Sequence, residues 1–242
     1  MGNRVSSVRG ERAVGLFLDK YFYKELVNNN ILLKYEREQG VADKEAQVTG
    51  TDIVLTYAAD NSVVKCDEKA RVTRLLMKDE KIDFPLEISF FSEKAGKGKL
   101  VDGWFVAEGN VTEQYVFVWI RKVKEEKLRD DRNIYYNRIV ADDILEAEVV
   151  IISKKRIKEW LEKKGYTDKK IKQKASKMRE NNKYEQKLGS VGVMRYSSYI
   201  EPEKPINLRV GENVLIDLCE GRYLINKDKV VEIPKCKKAD IV

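Results

Sequence analysis

The chain contains no histidine, and only three cysteines and four prolines among its 242 residues. Without histidine there is no Ser-His-Asp or Cys-His nucleophilic machinery, no histidine base and no His-ligated zinc. Cys66, Cys219 and Cys236 are odd in number and far apart. With no CxxC pair among them, a zinc ribbon or thioredoxin-like site has no footing, and a disulfide framework is disfavoured against a reducing, cytoplasmic setting. Long apolar runs are also missing. Tyr115 to Ile120 is among the longest, far short of the ~20 residues of a membrane span. Charges interrupt the N-terminal stretch, so no signal peptide is expected. The opening Met1-Gly2-Asn3-Arg4-Val5-Ser6 fits the loose myristoylation pattern, but an ordinary flexible terminus is the preferred reading.

What remains is ample for a folded protein. Hydrophobic residues make up 43% and charged residues 36%, enough apolar content to exclude wholesale disorder. The length suits one large domain, or one domain with an appendage. Val14, Phe17, Leu18, Tyr21, Phe22 and Leu26 recur at helical spacing, predicting a helix over 11–29 that stops at Asn28-Asn29-Asn30. Ile31 to Tyr35 reads as a short strand, followed by a polar stretch to Thr49. Asp52–Tyr57 and Val63–Asp67 read as a β-hairpin, turning at Asp60-Asn61. Further strands are expected at Leu86–Phe91, Trp104–Ala107, Gln114–Arg121 and Ala147–Ile152, with a Gly- and Lys-rich loop at Glu93–Asp102. Ser153 then caps a helix that Gly165 ends, and Thr167 caps a second carrying Ile171, Ala175 and Met178. From Ile206 to Pro234 the pattern is of short strands turning at Gly211, Gly221 and Asn226-Lys227.

The chemistry-bearing constellation is Gly50-Thr51-Asp52 followed by Asp67-Glu68-Lys69. Asp52 opens one strand of the hairpin and Asp67 closes its neighbour, so both belong to the same end of the sheet. Alternation puts Asp67 and Lys69 on one face and Glu68 on the other. Two carboxylates in close approach repel unless a cation lies between them. A hard, oxygen-seeking Mg²⁺ or Mn²⁺ suits that role, and Lys69 is placed to orient an attacking water or offset charge in a transition state.

This arrangement resembles the PD-(D/E)XK nuclease superfamily, whose pattern is an acid in a first helix, an isolated Asp, then (D/E)xK. Glu11, within Arg9-Gly10-Glu11-Arg12, fits the helix acid; Asp52 fits the isolated Asp; Asp67 and Lys69 fit the last element. Thr51 replaces the usual Pro and Asp67 the commoner Glu. The motif spans residues 9–70, and the elements to about 165 suit the rest of the core. The resemblance implies a restriction-endonuclease-like fold and a Mg²⁺-dependent deoxyribonuclease, a hydrolase of phosphodiester bonds in restriction or phage-related DNA processing. It implies metal ligation by Asp52, Asp67, the Glu68 carbonyl and Glu11, catalysis by Asp52, Asp67, Lys69 and Glu11, and a homodimer for cutting both strands. Glu25 is the rival helix acid, and Glu87 a further candidate for the metal's surroundings, read as an ordinary strand carboxylate. Trp104 and Trp119 read as core rather than base-stacking platforms.

Positive charge is concentrated. The chain carries a net +7, with 47 Lys and Arg against 40 Asp and Glu. Residues 153–187 hold fourteen basic and five acidic side chains, a local +9, which leaves −2 for the rest. Lysine-rich helix faces suit a phosphate backbone bound without base reading. Lys154, Lys155, Lys158, Lys169 and Lys170, with Arg71 and Arg74 beside the motif, are the candidate DNA contacts; a merely solvated face is the alternative. The narrow apolar faces argue against a membrane surface.

The expectation is therefore an α/β (α+β) fold with a mixed central sheet flanked by helices. Residues 1–165 would form a nuclease-like core, 166–205 a basic helical region and linker packed on it, and 206–242 a small β-rich C-terminal extension. Two other functions fit the same sequence: a non-catalytic nucleic-acid-binding protein on this fold, and a docking or assembly protein using the basic helices.

Overall fold

The computed structural model describes residues 2–37, 51–77, 83–92, 98–197 and 203–234. Most of the polar stretch before Asp52, part of the Glu93–Asp102 loop, and Cys236 lie outside the described residues.

The first helix begins earlier than its apolar spacing predicts. Helix α1 (Gly2–Leu18) runs into a π-helical turn at Asp19–Tyr23 and resumes as α2 (Lys24–Asn28). Ala13, Val14, Phe17 and Leu18 form its buried stripe. The wider π turn re-phases that stripe, so that Phe22 and Tyr23 are both buried before Leu26 takes over. Asn30, at φ 55°, ends the segment, a left-handed conformation that asparagine tolerates.

Strand β1 (Leu32–Arg37) pairs antiparallel with β2 (Ile53–Tyr57), and β2 with β3 (Val63–Arg71) in the expected hairpin. At its turn Ser62 N–H donates to Asp60 Oδ1 at 2.9 Å and Asn61 takes φ 57°. Next come β4 (Asp83–Ser92), β5 (Lys99–Asp102), β6 (Gln114–Val123) and β7 (Ile144–Ser153). Helices α3 (Lys154–Lys163) and α4 (Asp168–Glu180) follow, then β8 (Glu185–Lys187), β9 (Val193–Tyr196) and β10 (Ile206–Gly211). Helix α5 (Glu212–Leu218) precedes β11 (Gly221–Asn226) and β12 (Val230–Glu232).

These strands build two sheets, ordered β1-β2-β3-β6-β7-β11-β12 and β5-β4-β10-β9-β8. The larger is mixed: β3 and β6 are parallel, while the other pairs are antiparallel. Strand β6 is central and buried from Gln114 to Ile120, which is why its sequence is an unbroken apolar run rather than an alternating one. One face carries Val116, Val118 and Ile120 against α1 and the π turn; the other carries Tyr115, Phe117 and Trp119 against the second sheet, α3 and α4. Ile171, Ala175 and Met178 of the basic helix α4 are buried in that second core. The protein is an α+β fold.

Four local expectations change. The end of the expected Glu93–Asp102 loop is strand β5, because Lys99–Asp102 pairs antiparallel with Ser89–Ser92 of β4. Trp104–Ala107 is a turn rather than a strand, because Gly103 seats directly on Glu87 and the Val106 and Ala107 N–H groups return to the Gly103 carbonyl. A Cβ on Gly103 would lie 2.4 Å from the Glu87 carbonyl oxygen, so no other residue fits without backbone movement. Ser153 occupies the start of α3 but makes no side-chain cap bond, whereas Thr167 accepts from Lys170 N–H at 3.4 Å. At Gly211 the chain enters α5 instead of turning between strands. The stretch from 206 is β-rich, and it is shared between both sheets: β10 lies between β4 and β9, and β11 beside β7. None of the helices among the described residues is long and apolar enough to cross a membrane.

Candidate active site

The hairpin brings Asp52 and Asp67 together. Ile53 pairs with Cys66 across β2 and β3, so the preceding Asp52 stands opposite Asp67 on the same face. The two carboxylates are close enough for Asp52 to raise the proton affinity of Asp67. Asp52 is exposed and its Oδ2 accepts the Glu68 N–H at 2.9 Å. Asp67 is 2% exposed, and its Oδ1 accepts from Lys69 Nζ at 2.5 Å. Its other oxygen, Oδ2, is buried with no hydrogen-bond donor facing it. Burial and the Asp52 carboxylate push the Asp67 carboxyl up to about 8, against the opposing pull of Lys69. Burial works against the Lys69 ammonium too, but Asp67, Asp52 and Glu11 outweigh it and raise its proton affinity. The ammonium also sits 5.2 Å from the centre of the Trp104 ring, a contact that favours the cation.

Glu11 is on the exposed side of α1. Desolvation raises its carboxyl, with Lys69 lowering and Asp52 raising it. It thus feels the cluster without a hydrogen bond to it. Lys69 is one positive charge among three carboxylates, and the imbalance raises the proton affinity of Asp67 and Glu11.

The neighbouring Glu68 points the other way, as alternation requires. Arg37 Nη1 and Nη2 donate to its two oxygens at 2.6 and 3.0 Å, and Tyr23 Oη donates to Oε1 at 2.7 Å. Arg37 also donates from Nε and Nη2 to Asp19 in the π turn, both at 2.8 Å at the closest. A Cβ on Gly15 already lies where it would meet Arg37 Nη1 at 3.2 Å, so the small residue makes room for this clasp. The Glu68 side chain is thereby committed to structure, and its main-chain carbonyl is the part to which the ligand expectation applies. Through the Glu68 N–H, the clasp on one face of β3 reaches the Asp52 carboxylate on the other.

A second group of polar residues closes the cluster from the side of β6 and α3. Tyr115 pairs with Asp67 in the parallel register. Its hydroxyl is buried without a partner, and its acidity is suppressed by burial and by the nearby Asp67 and Asp168 charges. Lys154, at the start of α3, is 8% exposed and donates to Asn110 Oδ1 at 2.7 Å. Burial and the neighbouring Lys158 push its ammonium down to about 8, against Asp168 and Asp67. Lys158 pairs with Asp168 at 2.6 Å.

The other expected DNA contacts are dispersed. Arg71 pairs with Asp83 at 3.2 Å, and Arg74 is half-buried at a backbone bridge to Asn133. Lys155 is exposed beside Glu159. Lys169 lines a cleft of about 820 Å³ between α4 and the 103–110 segment, with Asp168, Lys172 and Lys177. Lys170 lines a second, of about 310 Å³, with Lys174, Lys177 and Lys183. Asp168, the partner of Lys158, also lines the larger cleft.

The donor set fits a hard divalent cation of sparse protein coordination. Among the described residues no three His, Cys, Asp or Glu side chains converge into a preformed metal cluster. What converges is a carboxylate pair, one oxygen of which is buried and unsatisfied. Mg²⁺ is commonly held by one or two carboxylates and keeps several waters, a donor number that this pair matches.

Tyr115, Asn110 and Asp168 carried no functional signal in the sequence. Tyr115 lies in an apolar run and reads as core, and Asp168 follows a capping threonine and reads as a helix-start acid. The parallel pairing of β3 with β6, which no local pattern encodes, brings Tyr115 to Asp67. No protein-family model, no curated protein and no solved structure matches the chain.

Proposed function

We propose that the protein is a divalent-cation-dependent nuclease that hydrolyses DNA phosphodiester bonds at the Asp52–Asp67–Lys69 cluster. The observation that carries this reading is the buried, partnerless Oδ2 of Asp67 beside the Asp52 carboxylate. A buried acceptor without a donor costs about 1–3 kcal/mol, and a carboxylate pair adds repulsion to that cost. A bound cation removes both.

Asp52 and Asp67 would hold the cation, with the Glu68 carbonyl as a further oxygen donor. When bound, the cation supplies Lewis-acid polarisation of the phosphodiester and offsets charge built up during attack. Asp52 is oriented for this by the Glu68 N–H, and Asp67 by Lys69. Lys69, held between Asp67 and the Trp104 ring, orients the attacking water and places a fixed positive charge at the developing negative one. Glu11 adds negative charge at the rim. The lysines of α4 hold the flanking backbone, which accounts for a net charge concentrated in one helical region.

Supercoiled plasmid incubated with the protein and Mg²⁺ or Mn²⁺ tests the reading. Nicking by the wild type, lost in both Asp67→Ala and Lys69→Ala and abolished by EDTA, is the expected outcome. Salt-sensitive DNA retention without nicking would instead assign a binding protein, and no retention even at low salt would leave α3 and α4 as a docking face.

A further inference from the structure

We infer that Lys154 and Tyr115 form an oxyanion subsite beside Asp67, built to receive a phosphoryl oxygen of the substrate. Gln114 pairs with Ser153 across β6 and β7, which places Tyr115 and Lys154 at the same end of the sheet, and three features mark them. Tyr115 is fully buried, and its hydroxyl has no partner although it lies on the strand paired with Asp67. Lys154 is buried with one hydrogen bond, to Asn110 Oδ1 at 2.7 Å, while an ammonium has three protons to donate. It is also the first residue of the ten-residue helix α3, whose N-terminus has no side-chain cap. The Lys154 main-chain N–H is already given to the Glu113 carbonyl at 2.8 Å, but the dipole of the helix start favours an anion there.

Burying an ammonium and a phenol with donors to spare is unfavourable unless an acceptor completes them. The acceptors already close by do not complete them: Asp168 Oδ2 is taken by Lys158 at 2.6 Å and Asp67 Oδ1 by Lys69, while Asp67 Oδ2 and the Tyr115 hydroxyl each stand without a hydrogen bond, so neither satisfies the other. Asp67 and Asp168 influence both Tyr115 and Lys154 only through space. A phosphate oxygen meets the requirement: it carries negative charge, accepts several donors at once, and sits next to the carboxylate pair when a diester is bound for cleavage. The aromatic wall of Trp104, Phe105 and Phe117 around Tyr115 excludes water from that side, which strengthens each such bond.

The role as a substrate subsite rests on the nuclease reading; the anion affinity does not, and the experiment separates them. Inorganic phosphate is titrated into the full chain, with no divalent cation, while lysine side-chain signals are followed by NMR. Saturable displacement of the Lys154 signal is expected. Tyr115→Phe should weaken phosphate affinity by about fivefold and Lys154→Met by about tenfold or more, whereas Lys163→Met, at an exposed position of α3, should leave it unchanged. Tyr115→Phe removes only an unsatisfied hydroxyl, so it should unfold no earlier than the wild type and keep the comparison valid even if Lys154→Met unfolds. A Lys154 signal that ignores phosphate, or an affinity within twofold of wild type in Tyr115→Phe, overturns the subsite. Plasmid nicking is scored separately: phosphate binding that depends on Tyr115 without nicking keeps the subsite and removes the nuclease, and nicking without that dependence does the reverse.

Discussion

Replacing Asp67 with asparagine should shift the stability balance in the variant's favour as the pH rises. The unfolded chain releases this proton near 3.8, whereas the folded chain holds it to about 8. Between those values the fold binds one proton more than the unfolded chain. Its stability is therefore full below the lower value and falls as pH rises, by about 1.4 kcal/mol per unit, until it levels off above the upper one. Asparagine has the same shape and no such proton. The stability difference between Asp67→Asn and wild type should consequently grow by about 4 kcal/mol from about pH 5 to about pH 9, whatever its value at the acid end. Urea unfolding followed by circular dichroism, in EDTA across that range, measures it directly. Because the quantity is a change in a difference, other groups titrating in both proteins largely cancel. Added Mg²⁺ at about a hundred times its dissociation constant should stabilise the wild type by about 2.7 kcal/mol and the variant far less. A difference that stays flat within about 1 kcal/mol over the whole range would mean that Asp67 is an ordinary ionised carboxylate, and the strained-pair reasoning would fail.

Two other outcomes follow from the surroundings. Arg37→Ala leaves Glu68 and Asp19 without their shared guanidinium; at this half-buried site the loss should be about 3 kcal/mol in urea unfolding, and Arg37→Lys should recover less than half of it, because an ammonium lacks the planar fork. Replacing Lys169, Lys170 and Lys177 together by glutamine should leave thermal stability unchanged, since all three are exposed on α4, and should reduce the slope of log DNA affinity against log salt by about 2–3 units; an unchanged slope in filter binding would remove α4 from the DNA surface.

The elements that carry the site were legible because each is written locally. Alternation in Val63–Asp67 and the Asp60-Asn61 turn encode a hairpin, and a hairpin places Asp52 opposite Asp67 without further information. Glu68 was likewise assigned to the far face by parity alone, and Arg37 and Tyr23 meet it there. Arg37 itself carried no signal, since its partners Asp19 and Glu68 are distant in sequence and its forked contacts depend on a π turn that apolar spacing does not reveal. The failure at Trp104–Ala107 has the same origin: aromatic, β-branched composition favours a strand, but the close approach of Gly103 to Glu87 is tertiary. The second sheet was invisible for a related reason. Its order interleaves β4 and β5 with β8, β9 and β10, so the pairing of residues 206–211 with 83–89 joins segments more than a hundred positions apart.

The claim on which the rest depends is that one divalent cation is shared by Asp52 and Asp67. Electron paramagnetic resonance of Mn²⁺ titrated into the full chain reports it directly. The expected result is one bound Mn²⁺ per chain in the wild type, lost in both Asp52→Asn and Asp67→Asn and retained in Lys69→Ala. Absence of binding in the wild type, or binding that survives either carboxylate substitution, would contradict it.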